Sequence, residues 1–417
     1  MTFIKTFLKK FLRFDPFGDQ LRDLDKLHCV IGLKLNTPRK VKLFKTTLYI
    51  MIFLWFAFAH RLYVVASKHW GFIYTVTTTM VLVAIFSASL RAYGLHRKYK
   101  YLVQLRQNLL TCSAFNRDDA EARRLRTEHF QNNQKFCLFM VCTGFVTMLI
   151  WNMTDYRWTD QYQMAFDLNF LQPRIKSALD TIFGLSLIVI AFYFWIPFIT
   201  VRVLLQILRA EFMIMNKSLE SVLVKPIAAA KLYGNQASGS QQAADTYHNQ
   251  MFWNSLLDEL KRMIEQHRLL FDMVENVRQL TSIQFLAGMG ASVAISSVSV
   301  FLFMSMKGES AAVIAISSIV MLENYYNSVL VEEIEACHFA TGTIIFNLEW
   351  PMVLRYEQQF CDQYRDARKI LLIVLMRTRR KLHFSCGGMF EMSLVSFFQT
   401  VKTCYTILMF LLTKSEH

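Results

Sequence analysis

Apolar positions along this chain gather into long runs. A bilayer core of about 30 Å takes about 20 residues of helix, because each residue rises about 1.5 Å. Seven runs fit that length: Leu43 to Ala66, Phe72 to Leu90, Phe136 to Met153, Leu179 to Leu205, Thr281 to Met306, Ser310 to Leu330, and Met389 to Leu412. An eighth, Ile370 to Met376, is too short to cross and is followed at once by Arg377, Arg379, Arg380 and Lys381. It predicts a helix below the membrane.

The connection over 206–279 holds a polar, small-residue stretch, GNQASGSQQAADTYHNQ, which cannot bury a core and predicts a mobile segment between two helical patterns. After it, Leu256, Leu257, Leu260, Met263, Ile264, Leu270 and Met273 recur at helical spacing. The helices of spans four and five should therefore project beyond the bilayer. Glu332 to Gln363 is amphipathic in the same way. The pattern divides the chain into an N-terminal segment (1–42), six spans (43–330), anchor helices (331–388), and a last span with a short tail (389–417).

Composition agrees. The 417 residues are 54% hydrophobic and only 18% charged, where a soluble protein carries about 25% charged residues. Of the 46 lysines and arginines, 37 fall before span one, between two and three, four and five, or six and seven, counting Arg202 with the loop it adjoins. Cytoplasmic segments are enriched in these residues. The expected fold is an all-α membrane protein of seven transmembrane helices, N-terminus cytoplasmic and C-terminus extracellular, with cytoplasmic helical extensions forming an anchor region.

That orientation is the reverse of a G-protein-coupled receptor's. The outer segment 154–178 also lacks a cysteine for the usual extracellular disulfide, and no D-R-Y-like triplet follows span three. A transporter lacks support as well: no internal repeat is visible, Pro197 is a lone kink candidate, and carboxylates are absent from the middle of every span. The eight cysteines form no C-x-x-C pair and no histidines stand at metal-ligand spacing, so neither a zinc site nor a disulfide framework is signalled. Cys137 and Cys142 read as small hydrophobes. No phosphate-binding glycine loop, G-x-S-x-G elbow or nucleic-acid signature appears, so no enzyme, cofactor or nucleic-acid partner is expected.

The opening MTFIKTFLKKFLRFDPF mixes lysines with Phe3, Phe7, Phe11 and Phe14 and lacks the apolar core of a cleaved signal. It fits either the inner leaflet or a first helix packed on the protein's own cytoplasmic base.

The C-terminal run holds the sharpest signal. At steps of three and four, Gln399, Lys402, Thr406, Phe410 and Thr413 fall along one helix face. Polar groups in hydrocarbon normally face protein or a water-filled path, so the stripe either packs against neighbouring helices or lines a pore.

Gly387, Gly388, Ser393, Leu394, Phe397, Val401, Lys402, Thr403, Tyr405 and Thr406 together resemble the signature of the last helix in insect odorant receptors. The approach from Trp350 through the Tyr356 to Tyr364 region, with Arg379 and Arg380, is similar too. Cys404 stands where that family often has serine, and ENYYNSVLVEE around Tyr325 and Tyr326 replaces its glycine-containing inner end of span six. Gustatory receptors, the sister group, end in a T-Y, five apolar, Q-F pattern that is missing here.

The resemblance implies a tetrameric, ligand-gated, non-selective cation channel in the plasma membrane of olfactory neurons. Its last helix would line the pore, with the gate at Phe410, Thr413 and Lys414, and its cytoplasmic helices would anchor the subunits. The family's co-receptor has a much longer loop between spans four and five, so this chain resembles the odorant-tuned partner. Four Lys414 ammonium groups at a pore mouth would repel by about 1 to 4 kcal/mol per pair at about 4 Å. One copy among neutral partners is tolerable, which favours a heteromer with the co-receptor. The alternatives are a gustatory-type channel, or a seven-helix chemoreceptor signalling without its own pore.

A pocket for a small volatile ligand should be an aromatic and aliphatic cavity with a few polar groups in the outer half of the bundle. That region offers Tyr74, Thr77, Thr78, Phe145, Met148, Trp151, Phe183, Leu187, Val313, Ile316 and Ser317. Met148 and Trp151, a flexible thioether one turn from a flat ring, suit adaptable apolar binding. Asn152 with Thr154 forms a glycosylation triplet at the outer end of span three; the triplet from Asn216 to Ser218 lies on the cytoplasmic side and should be silent.

Overall fold

The computed structural model describes residues 19–22, 24–67, 71–115, 119–153, 172–234, 241–305, 311–348, 350–354 and 356–415. Within these, the side chains of Phe145, of 147–153, of Ala229, of 231–234, of 241–248 and of 311–313 lie outside the description.

The helices run in order: α1 (Leu24–His28), α2 (Pro38–Ser67), α3 (Phe72–Arg97), α4 (Tyr99–Phe115), α5 (Ala120–Met153), α6 (Pro173–Glu220), α7 (Val224–Gly234), α8 (Gln241–Ser305), α9 (Ala311–Asn347), α10 (Trp350–Val353), α11 (Cys361–Thr378) and α12 (Leu394–Ser415). Among the described residues, six helices are long and apolar enough to cross a membrane: α2, α3, α6, α8, α9 and α12. The third predicted span, Phe136 to Met153, forms the outer part of α5, and eight of its 18 side chains lie outside the description.

The 65-residue α8 is the axis of the molecule. At about 1.5 Å per residue it reaches about 100 Å, some three times the bilayer core. It packs on α3, α6, α9 and α12, and 67% of its most apolar stretch is buried. The polar stretch expected to be mobile is helical from Gln241 onward. Once a nucleus exists, each added residue contributes a hydrogen bond, and Gln241, Gln242, Ala243 and Ala244 oppose helix only weakly.

Among the described residues, two large hydrophobic clusters and a small one at the outer end of α12 fill the interior. The larger runs through α2, α3, α4, α6, α8 and α9 and includes Leu54, Phe58, Ile85, Leu205, Phe212, Met273 and Phe285. Leu21, Leu24, Ile31 and Leu33 are buried in it, so the segment ahead of α2 inserts into the bundle. Asp25 clamps that segment by ion pairs to Lys34 and to Arg106 of α4. Phe3, Phe7, Phe11 and Phe14 lie outside the described residues.

The second cluster joins the ends of α6, α8 and α9 to α10 and α11 through Leu219, Trp253, Leu260, Ile345, Leu354 and Leu371. Trp253 stacks on Phe360 at 6.5 Å. The short apolar patch Ile370 to Met376 lies in α11, and its amphipathic face closes this cluster.

One element departs from the all-α expectation. Ser385 and Cys386 pair antiparallel with Glu391 and Phe390 in a small hairpin. Gly387 and Gly388 turn it with φ of 62° and 81°, a backbone region side chains avoid. A Cβ at Gly387 would also stand 2.5 Å from Leu286. The predicted last span from Met389 therefore begins later, at Leu394, because the glycine turn consumes its first residues.

Candidate functional site

The last helix starts from a defined cap. Ser393 accepts the Ser396 N–H at its Oγ (3.2 Å) and the Phe397 N–H at its carbonyl (3.0 Å), while Ser396 Oγ donates to the Glu391 carbonyl at 2.6 Å. The Leu394 N–H donates to Oε1 of Glu332 on α9, 2.9 Å away.

From that cap α12 buries a narrow face: Phe397, Thr400, Cys404 and Leu411. The face packs mainly on α8. Ser297 Oγ donates to the Cys404 carbonyl at 3.1 Å, the Cys404 thiol donates to the Ser292 carbonyl at 3.8 Å, and Thr400 Oγ1 lies 3.3 Å from Met289 Sδ. Toward the outer end, Leu411 joins Phe301 and Leu302.

The predicted polar stripe lies on the other side. Gln399, Lys402, Thr406, Phe410, Thr413 and Lys414 are all exposed. Thr406 and Thr413 satisfy their hydroxyl donors on the carbonyls of Lys402 and Met409, one turn back. Only 11% of this helix's apolar stretch is buried, the least of the six candidate spans. Packing within one subunit therefore does not account for the stripe.

The predicted ligand residues are placed as follows. Thr77 and Thr78 of α3 are buried and donate to the carbonyls of Ile73 and Tyr74, each at 2.8 Å; Tyr74 is half-buried. On α9, Ser317 is buried and Ile316 half-buried. Leu187 packs half-buried against the main core. Phe183 is buried, but its ring partners belong to α2: Phe53 at 6.2 Å and Phe58 at 5.8 Å. It lines an apolar groove of about 710 Å³ between α2 and α6, with Leu43, Tyr49, Phe53, Ile182 and Phe192. The side chains of Phe145, Met148, Trp151, Val313 and Asn152 lie outside the described residues. The helices of the set do meet: α3 touches α6, and α6 touches both α5 and α9.

Sequence reading missed a buried ion pair within the bundle. Arg91 of α3 pairs with Glu323 of α9 at 2.8 Å, their side chains only 1% and 5% exposed. The guanidinium lies over the Phe194 ring at 4.1 Å from its centroid, and the Gln284 amide donates to the Arg91 carbonyl at 2.7 Å. Gly288 makes room: a Cβ there would meet Arg91 Nη2 at 2.6 Å. Beside Glu323, Asn324 donates to Ser292 Oγ (2.9 Å) and the Gly288 carbonyl (3.2 Å) of α8. A charge within an apolar run was the available signal, since such residues are costly unless paired. Glu323 stands three residues past the midpoint of its predicted run, 310–330, so the expected absence of carboxylates from the middle of every span does not hold.

Comparison with known proteins gives a consistent result. The family described as 7tm Odorant receptor matches residues 72–405. Among solved structures, the chain is similar to the insect olfactory receptor OR5 from Machilis hrabei, with a TM-score of 0.67 at 10% identity over 94% of this chain and 97% of that one. The same receptor in complex with eugenol gives a TM-score of 0.67 at 9% identity, covering 96% and 100%. No curated protein matches the chain.

Proposed function

Because the chain belongs to the insect odorant receptor family, a family of odorant-gated channels, we propose that it is an odorant-tuned subunit of a heteromeric, ligand-gated, non-selective cation channel. The observation that supports this best is the last helix. Its polar stripe, Gln399 through Lys414, is exposed on the subunit while the opposite, narrow face is buried, mainly against α8. A polar face on a membrane helix needs protein or water opposite it. Neighbouring subunits around a central water path supply both.

Assembly has a second support. Phe346, Met352 and Tyr356, beyond the apolar spans, are 76%, 77% and 61% exposed. Apolar surface outside the bilayer calls for a protein partner. The subunits meet at this base and around α12, with the charge-rich base in the cytoplasm and the C-terminal end of α12 outside. The ligand is a small volatile organic molecule, a class that includes the eugenol bound by the Machilis receptor. It binds among α3, α5, α6 and α9 in the outer half of the bundle. The protein acts in the plasma membrane of olfactory neurons, and Lys414 on each copy favours assembly with the co-receptor over a homotetramer.

The test is whole-cell recording across an odorant panel, with this chain expressed alone and with the co-receptor while G-protein signalling is blocked. Ligand-evoked cation current only in the co-expressing cells is the expected result. Robust current from the chain alone would overturn the heteromer, and loss of current under the block would overturn the channel.

A further inference from the structure

Glu323 and Glu332 of α9 stand nine residues apart, about 13 Å along the axis and half a turn around it, while the neighbouring Glu333 pairs with Arg209 of α6 at 3.3 Å. Glu323 faces α3 and holds the Arg91 guanidinium at 2.8 Å. Glu332 faces α12 and takes the N–H of Leu394, its first residue, at 2.9 Å. A carboxylate at a helix start meets unpaired N–H groups and the positive end of the helix dipole, so this contact fixes the end of α12 in position.

A second route runs alongside. Asn324, next to Glu323, donates to Ser292 Oγ, and the Ser292 carbonyl receives the thiol of Cys404 on α12. Tyr325 lays its ring 5.6 Å from that of Phe397. Ile316 and Ser317 lie on this same helix, about 9 Å toward the outer side from Glu323. Any displacement of α9 there is delivered to α3 by one carboxylate and to the start of α12 by the other.

We propose that Glu323 and Glu332 are positioning residues for gating: Glu323 anchors α9 to Arg91 of the ligand-side bundle, and Glu332 couples α9 to the inner end of the pore helix. The proposal rests on the reading of α12 as a gated pore helix. Neither residue touches ligand or permeating ion; each acts through the helix it holds.

Two measurements test it. The first is amide hydrogen exchange on the purified protein. Glu332→Ala should speed exchange at Leu394 to Phe397, and Glu332→Gln, which keeps an acceptor, should restore it. The second is recording in cells with the co-receptor, normalised to surface protein. Glu332→Ala should shift ligand potency or the basal open fraction by about fivefold or more, the size of a typical allosteric coupling, while leaving the reversal potential unchanged and being rescued by Glu332→Gln. Glu323→Leu alone strands a buried arginine, so the volume-keeping pair Arg91→Met with Glu323→Leu is the useful variant; it should shift potency by a similar factor.

Unchanged exchange in Glu332→Ala would overturn the tie. Altered exchange with potency and basal fraction within twofold of wild type in both variants would overturn the coupling. Absence of current from the wild-type chain with the co-receptor would instead overturn the channel reading, and the gating role with it, while the exchange result still reports on the tie.

Discussion

Lys402 and Cys404 stand two residues apart on the last helix and face opposite ways. Cys404 is buried with its thiol 3.8 Å from the Ser292 carbonyl, and Lys402 is exposed. Two helical steps rotate a side chain by about 200°, so one residue cannot line a water path unless the other turns into protein. In channels containing this chain, Lys402→Cys should be modified by a charged thiol reagent with a change in odorant-evoked current. Native Cys404 should stay inert, because its thiol is buried against α8 and out of reach of the reagent. Equal reactivity at the two positions would contradict the orientation of α12.

Arg126 and Glu211 join α5 to α6 through two parallel hydrogen bonds of 2.8 and 2.9 Å, with side chains 1% and 3% exposed. Removing one partner of a buried pair strands the other, at a cost of about 3–5 kcal/mol. Arg126→Met should lower the melting temperature of the detergent-purified protein sharply. Adding Glu211→Leu should recover most of the loss. Additive losses in the double variant would mean that the pair itself, rather than the stranded charge, dominates.

His28 gives the folded state a pH dependence. Thr200 has one hydroxyl proton and donates it to the Ile196 carbonyl at 2.8 Å, so His28 must donate Nε2–H to Thr200 Oγ1, 2.9 Å away. Burial pushes the His28 pKa down from 6.5 to about 4, against the opposing pull of Asp25. The unfolded chain thus binds a proton that the folded one refuses. Stability is complete above about pH 6.5 and falls as the pH drops toward 4, by about 3 kcal/mol over the window. Melting curves at pH 7.5 and 5.0 should show a smaller pH-dependent loss in His28→Asn than in wild type, and an identical loss would remove His28 as the cause.

The ligand pocket is tested by Met148→Ala with Trp151→Ala. A shift in odorant potency of about tenfold, or about 1.4 kcal/mol, is expected with surface expression maintained. An unchanged potency and odorant profile would move the pocket elsewhere. Phe183→Ala serves as a contrast, because that ring packs on Phe53 and Phe58 of α2. Its main effect should be a stability loss of about 3–5 kcal/mol from the cavity it leaves.

Much of this architecture was legible in the chain. Length and polarity alone marked the spans, because a bilayer imposes one length on every crossing helix. The stripe on α12 was legible for the same reason: step-of-three-and-four spacing places Gln399, Lys402, Thr406 and Thr413 together on any helix. What periodicity could not decide was which way the stripe faces, and that came from the burial of Phe397, Thr400, Cys404 and Leu411 against α8. Arg91 and Glu323 were illegible as a pair, since 232 positions separate them and only the packing of α3 and α9 on α8 brings them together. Phe183 shows the same limit: its position on α6 was foreseen, and its turn toward α2 was not.

The proposed function sets α12 beside the ion path of an odorant-gated channel. Its most direct test is the reversal potential of odorant-evoked current in asymmetric salt, for wild type and Lys402→Glu, each with the co-receptor. Replacing an ammonium by a carboxylate beside the path should raise cation over anion permeability and move the reversal potential toward that of the cation. An unchanged reversal potential and single-channel conductance, at equal surface expression and undiminished current, would contradict the claim.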